Sequence, residues 1–416
     1  MKSIKEKLSL ATCTLLASGA QTAHAIDNAW DLDSSLLYYA EGDDRVQVAK
    51  AMAKLTGDVS DDDTATINLV LDTMSGSTPS GAVRSNSSAI SFTSASGAGG
   101  ITAEGTVPDI VEFSDTRLGF SLDWEHSVSR LRKMKYGGSL SVENDYQSYG
   151  TSVALTQDTE DRSKTYSAGL AFSYDKIFRK TGGTPEPLSS TDSNSILSDG
   201  ERYIYDAIIG MTKVLNKRTV GQLNFGITYS DGYHTDPYKV ISVVDLVSQS
   251  DPTIGEFTYG EIDRLYEGRP TTRLRTVLYT ALSHQYGEHN EVVHASYRYY
   301  QDDWGISAHT FDLTHRRPVG SRSFLEPHFR FYTQTAADFF MHHIDYSPTE
   351  PLPEFASADY RLDAIVGTTI GLNFGMDMGS SSKLRLRAEY INWQYEDAEY
   401  SENSAIVLQA SYRKVF

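Results

Sequence analysis

IVLQASYRKVF, residues 406–416, alternates with a period of two. Ile406, Leu408, Ala410, Tyr412 and the terminal Phe416 share one parity, and Gln409, Ser411 and Arg413 share the other. Such alternation marks a β-strand with one apolar and one polar face. A strand of this kind ending on an aromatic carboxy-terminus has the pattern of the closing strand of a transmembrane barrel, apolar toward lipid and polar toward the lumen. Tyr412 and Phe416 are read as its assembly signal.

Working back from that strand, alternating runs recur at residues 384–390, 360–374, 325–331, 311–313, 293–299, 274–282, 223–229, 203–211, 166–174, 153–155, 140–142 and 118–124. Three more lie near residues 30–39, 45–55 and 65–74. The expectation is an all-β, antiparallel up-and-down transmembrane barrel of about sixteen strands with both termini periplasmic. Residues 45–55 also read as a short helix on Val48, Met52 and Leu55, which leaves fourteen strands as the alternative. Loop length supports the count. The long insertions, 85–114, 178–200, 231–271 and 336–358, all fall on one side of the alternation, where external loops belong, and the other connections are brief.

The amino-terminus carries a basic MKSIKEK, a short apolar run over residues 8–20 and a small-x-small Ala23-His24-Ala25. This predicts a cleaved secretory signal over residues 1–25 and one barrel domain over 26–416, placed in the outer membrane of a Gram-negative cell. The single cysteine, Cys13, falls inside the signal, so no disulfide framework is expected. The formal net charge of −18 argues against a nucleic-acid partner. Mean hydropathy is −0.38, and no stretch approaches the ~18 continuous apolar residues of a membrane-spanning helix. A barrel needs none, because only half of each strand must be apolar. The 26 tyrosines suit aromatic girdles at the two membrane interfaces.

Arginine parity is the clearest signal for function. Arg273, Arg275, Arg298, Arg316, Arg330, Arg361, Arg385, Arg387 and Arg413 each stand opposite in parity to their run's aliphatic face, with Asp312, Glu326, Asp363 and Glu389 beside them. The earlier runs direct Asp123, Glu125, Glu143, Asp175 and Asp206 inward. A basic lumen wall facing a neutral-to-acidic one is expected. It either sets a transverse field across an open pore or belongs to a lumen closed by mutual ion pairs. The acidic segment 231–271 is read as a loop that folds into the mouth against the arginines or lies solvated outside.

No metal site is expected. His342-His343 near Asp345, and His294, His309 and His328 facing or flanking the lumen, lack ligand spacing or a cysteine partner. Asp302-Asp303 followed by His309 comes nearest to a catalytic constellation. It has no nucleophile with an orienting base, and the stretch is read as a polar turn with Trp304 as a membrane-belt anchor. No enzymatic activity and no catalytic residue are assigned.

The stretch YRYYQDDWGISAHT, residues 297–310, closely resembles an uncharacterised Gram-negative outer-membrane family, domain of unknown function 3570. So do DTMSGSTPSGA (72–82), SVENDYQSYG (141–150), DPYKVISV (236–243), EGRPTTRLR (267–275) and PHFRFYTQTAADFF (327–340). The resemblance spans essentially the whole mature chain and implies an outer-membrane barrel without an assigned activity. Members of the family resemble one another in sitting beside genes for thioredoxin-like and flavin-transferase proteins. DTMSGST further resembles the acceptor motif at which a flavin transferase esterifies FMN to a terminal threonine, here Thr78, with Ser77 where alanine is usual.

The expectation is a porin-like channel for small polar or charged solutes that carries no cofactor. Its partners are outer-membrane lipid, lipopolysaccharide and the barrel-assembly machinery. The alternative is a non-conducting barrel that scaffolds an envelope redox or export assembly with periplasmic redox partners, covalent FMN at Thr78 being its marker.

Overall fold

The computed structural model describes residues 30–42, 45–83, 91–93, 99–101, 110–193, 195–245, 260–288 and 290–416. The expected signal peptide lies outside them. Sixteen antiparallel strands follow one another around a closed barrel. They are β1 (Trp30–Glu41), β2 (Gln47–Asp58), β3 (Asp63–Pro79), β4 (Ile110–Ser129), β5 (Arg132–Val142), β6 (Tyr146–Asp158), β7 (Lys164–Ile177) and β8 (Gly200–Asn216). The second half comprises β9 (Thr219–Gly232), β10 (Thr272–Tyr286), β11 (Glu291–Asp302), β12 (Ser307–Val319), β13 (Ser323–Gln334), β14 (Ile365–Asp377), β15 (Ser382–Tyr395) and β16 (Glu402–Val415).

Residues 47–58 pair along their length with β1 and β3, which settles the strand count at sixteen. The local helical pattern loses because a gap at this point would leave two unpaired strand edges. β16 closes on β1 in the register Asp33↔Arg413 and Ser35↔Ser411. The seam is tied by the Arg413–Asp31 ion pair, with Nε to Oδ2 at 2.8 Å, and by the Phe416 amide donating to the Trp30 carbonyl at 2.9 Å. The ladder then closes on itself and leaves no free strand edge, the condition for crossing a bilayer.

One parity of each strand faces outward and is apolar. Leu118, Phe120, Leu122, Leu170, Ile209, Leu278, Ile370 and Leu408 are all exposed. Aromatic residues cluster at both ends of this band. Tyr149, Tyr174 and Tyr203 stand side by side in one row at the long-loop end. Trp124, Tyr136, Tyr166 and Tyr412 stand exposed toward the end that carries the termini. This is the distribution an apolar slab with two wet interfaces selects.

At the long-loop end the connections fold into a cap. Its three-stranded sheet is built from Gly260–Tyr266, Val240–Asp245 and Ile344–Asp345. The segment after β9 reaches the end of β3, six strands away around the barrel: the Val240 amide donates to the Ser80 carbonyl at 3.0 Å. Two small apolar cores hold the cap together. Ile241, Val243, Leu265, Ile344 and Ala356 form one, and Trp304, Ile306, Ala337, Phe339 and Leu362 the other.

Candidate functional site

The inward parity of the barrel carries the polar side chains, and cross-strand geometry decides which of them meet. On β12 to β15, Asp312 accepts from Arg330 Nε at 2.9 Å and lies 2.9 Å from His328 Nε2. His328 Nδ1 is 2.8 Å from Glu389 Oε1, although β14 lies between the two strands. Gly371 makes this reach possible. It stands in register between His328 and Glu389, and a Cβ there would come within 2.5 Å of Glu389 Cγ. Arg387 Nε stands 3.7 Å from Glu389. Nearer the terminal end, Arg316 pairs with Glu326 at 2.6 Å and lies over the Phe324 ring.

The early strands depart from the expected neutral-to-acidic wall. Asp123 pairs with Lys135 at 3.1 Å and Glu125 with Lys133 at 2.6 Å, on diagonal cross-strand positions. Asp72 pairs with Arg117 at 2.8 Å, and Asp175 with Arg202 at 2.7 Å. Asp206 accepts from Thr228. Compensation on this side is local.

Other cations of the interior are left over. Among the described residues, Arg275, Arg298 and Arg385 have no carboxylate within 4 Å. The Nε of Arg275 is buried and has no hydrogen-bond partner. Arg298 and Arg330 border an interior cavity of about 460 Å³ together with Tyr279, Asp312, Tyr332 and Trp393. A second cavity, about 370 Å³ and closer to the termini, is bordered by Lys54, Lys383, Arg385 and Arg413, with Asp33 as its carboxylate.

Two residues expected in the lumen wall belong to the cap. Arg361 sits in a 3-10 turn, Tyr360–Leu362, capped by the Asp359 side chain, and Asp363 follows that turn. The strand begins only at Ile365, because the Asp359 and Asp363 carboxylates satisfy backbone amides that a strand ladder would otherwise take up. Asp363 accepts from the amides of Ala364, Asp397 and Ala398. Arg361 bonds Asp359 and, at 3.0 Å, Asp236.

These groups join a buried network beneath the cap. Arg269 lies 2.7 Å from Glu267 and 2.8 Å from Asp359. Glu267 is fully buried and also receives the Ser357 hydroxyl and, at 2.7 Å, the Asp236 amide. Burial opposes ionisation of Asp359, but Arg361, Lys239 and Arg269 overcome it and hold the carboxyl well below the usual range. Burial pushes the Lys239 ammonium down against the pull of Asp359. The acidic segment therefore spends Asp236, Glu261 and Glu267 on arginines of the cap (Arg264 takes Glu261 at 2.9 Å), and not on the barrel's arginine wall. Asp251 and Glu256 lie outside the described residues.

The remaining candidates are placed as follows. Asp302 binds Arg273 (Nε at 2.9 Å) and accepts the Trp304 and Ile306 amides, so it organises a turn. Trp304 is not a belt anchor. It is 3% exposed, stacks under Arg273 at 4.0 Å and packs edge-on against Phe339 in the cap core. His309 faces outward beside Tyr297 and Tyr299, while His294 points inward, 2.8 Å from the Ser283 hydroxyl. His342 pairs with Glu399 and His343 with Asp345. Ser230 lies 2.8 Å from His234 Nε2 but is 1% exposed, which closes that pair to any substrate.

Thr78 is half-buried near the end of β3, with Lys239 Nζ 3.4 Å from its hydroxyl. The glycine of DTMSGST has a local reason: Gly76 has φ +131°, and a Cβ there would meet the Arg45 carbonyl at 2.1 Å.

One cluster had no sequence signal. The turn between β5 and β6 folds Glu143 and Asp145 against Asp115 of β4, with the three carboxylates within 4.8 Å of one another. Burial and then Asp115 push Glu143 up to about 7. The Asn144 side chain donates to Asp115. Only the strand register brings residue 115 to this turn, so the spacing along the chain is silent about it.

Sixteen strands, an apolar exterior and a polar, cavity-bearing interior define a barrel of the transmembrane antiparallel class. The chain belongs to the family described as Protein of unknown function (DUF3570), whose model matches residues 5–409. Comparison with curated proteins finds no match. Among solved structures the chain is similar to a "Bacterial polysaccharide outer membrane secretin", at 9% identity and a TM-score of 0.45, covering 94% of this chain and 98% of that one. It is similar to a TodX deltaS2S3 mutant monoaromatic hydrocarbon channel, at 11% identity and a TM-score of 0.41, covering 94% and 90%. OmpT, an outer membrane protein of Vibrio cholerae, follows at 10% identity and a TM-score of 0.39, covering 95% and 100%. Likeness of this order bears on neither solute nor partner.

Proposed function

We propose that this protein is an outer-membrane channel for small polar and charged solutes that favours anions, its apolar band in contact with lipid and lipopolysaccharide. The observation that carries the reading is a pair of interior cavities at different depths, each bordered by a guanidinium without a carboxylate partner among the described residues: Arg298 in one and Arg385 in the other. A lumen closed by its own ion pairs would match each such group, since an uncompensated charge in a dry interior is costly. Uncompensated charge is tolerated where water solvates it. The same charge then raises the local concentration of counter-ions along the path.

Planar-bilayer recording across a salt gradient tests the reading. The wild type conducts with a reversal potential on the anion side, and Arg298→Glu with Arg385→Glu moves it toward cations. A folded barrel that never conducts, or a reversal potential unmoved in a conducting variant, overturns it.

A further inference from the structure

We infer that the larger interior cavity, on the wall from β10 to β15, is a binding site for a small aromatic monocarboxylate. The inference rests on the channel reading only in that the ligand arrives through the lumen.

Three features of the cavity select this chemistry. The first is an aromatic border. Tyr332, Gly367 and Trp393 stand in one cross-strand row. A Cβ at Gly367 would lie 3.2 Å from Trp393 Cδ1 and 3.4 Å from Tyr332 Cβ, so the glycine lets the edge of the Trp393 indole lie against the backbone. Tyr279 adds a third ring to the border. Aromatic rings around one cavity suit a planar ring, which gains from offset stacking beyond the area it buries.

The second feature is an available anion receptor. Arg298 stands directly across from Tyr279 in the register, and its guanidinium has no carboxylate within 4 Å among the described residues. Its aromatic contact is the Tyr300 ring, 6.0 Å away. A guanidinium presents a planar fork of donors that matches a carboxylate bidentately.

The third feature is that one guanidinium of the border stands open. Asp312 is shared by Arg330 and His328, whereas Arg298 meets no carboxylate among the described residues. A single carboxylate matches that one open fork of donors. At about 460 Å³ the cavity falls within the usual range of roughly 300–1,000 Å³ for small-molecule sites.

Benzoate, acetate, benzyl alcohol and inorganic phosphate are titrated separately into detergent-solubilised full-length protein, by calorimetry and by tryptophan fluorescence. Benzoate binds saturably and at least tenfold more tightly than each of the other three. Trp393→Phe abolishes the fluorescence change while heat is still released. Arg298→Gln weakens benzoate roughly tenfold or more, as loss of a charge-assisted hydrogen bond implies. Gly367→Val, which displaces the Trp393 indole and leaves every charge in place, removes the preference of benzoate over acetate.

Benzoate no tighter than acetate, phosphate or benzyl alcohol overturns the inference in the wild type alone, whatever the variants do. So does undiminished benzoate binding by a folded Arg298→Gln variant. Because binding is read in detergent, absence of conductance in bilayers sinks the channel reading without touching this result.

Discussion

The barrel wall and the cap use the same ionic side chains in opposite ways. In the cap, Glu267 and Asp359 are 0% and 1% exposed and are met by Arg269, Arg361, serine hydroxyls and backbone amides. In the wall, Arg298 and Arg330 border an interior cavity, and Arg298 meets no carboxylate among the described residues. The difference teaches where water goes. Buried ions must be matched one by one or the region does not hold together, whereas an ion that water reaches can be left unmatched, and in the proposed channel it would act on what passes.

The largest expected effect comes from breaking the dry side. Asp359→Ala leaves Arg269 with Glu267 alone and Arg361 with Asp236 alone, and takes the Asp359 charge away from the buried Lys239. Removing one partner of a buried network costs about 3–5 kcal/mol. Hydrogen exchange should show residues 233–245, 260–271 and 335–364 losing protection together while the barrel still migrates as a heat-modifiable band. Protection at wild-type levels would show that the network does not hold the cap.

The second prediction sets matched against unmatched wall charges. Arg298→Glu with Arg385→Glu should alter selectivity and leave stability near the wild type. At an effective dielectric of ~20, a unit charge ~5 Å from a passing ion is worth about 3 kcal/mol before salt screening. Arg330→Glu with Arg387→Glu places like charges beside Asp312 and Glu389 and should lower stability. Thermal melts and reversal potentials of the two double variants decide this; identical behaviour would erase the distinction between paired and free arginines.

A smaller effect tests the glycine bridge in the wall. Gly371→Ala pushes a methyl group into Glu389 and should break its contact with His328, at about 1–3 kcal/mol. Gly138→Ala, which meets nothing within 4 Å, should be neutral. Equal melting temperatures would mean that the bridge contributes nothing.

The smallest effect concerns pH at the β5–β6 turn. Glu143 is raised from 4.5 to about 7, so the folded protein holds its proton more tightly than the unfolded chain. Its contribution to stability is complete below about pH 4.5 and is lost as pH rises through 7. Exchange of the amides of residues 142–146 should be slower at pH 5 than at pH 8, after correction for intrinsic rates. Glu143→Gln should flatten that dependence. A dependence that survives in Glu143→Gln assigns it to another group.

The alternation at residues 406–416 and in the upstream runs determined the strands, and by parity which side chains turn inward on each. Loop length determined which end carries the long insertions. Both are legible because a strand writes its exposure into neighbours two residues apart. What remained open within the sequence was everything that depends on register. The reading of Arg361 and Asp363 as wall residues followed the alternation of residues 360–374. Local amide capping by Asp359 and Asp363 instead delays the strand to Ile365. Trp304 looked like a belt residue because nothing near it in the chain announces Phe339, its partner in the cap core. The contact of His328 with Glu389 needs two strand pairings and a glycine between them, and the cap needs a segment after β9 to reach β3. A period of two encodes which way a side chain points. Which partner it meets is decided only when separate segments are brought into contact, because ion pairing and desolvation depend on distance in space.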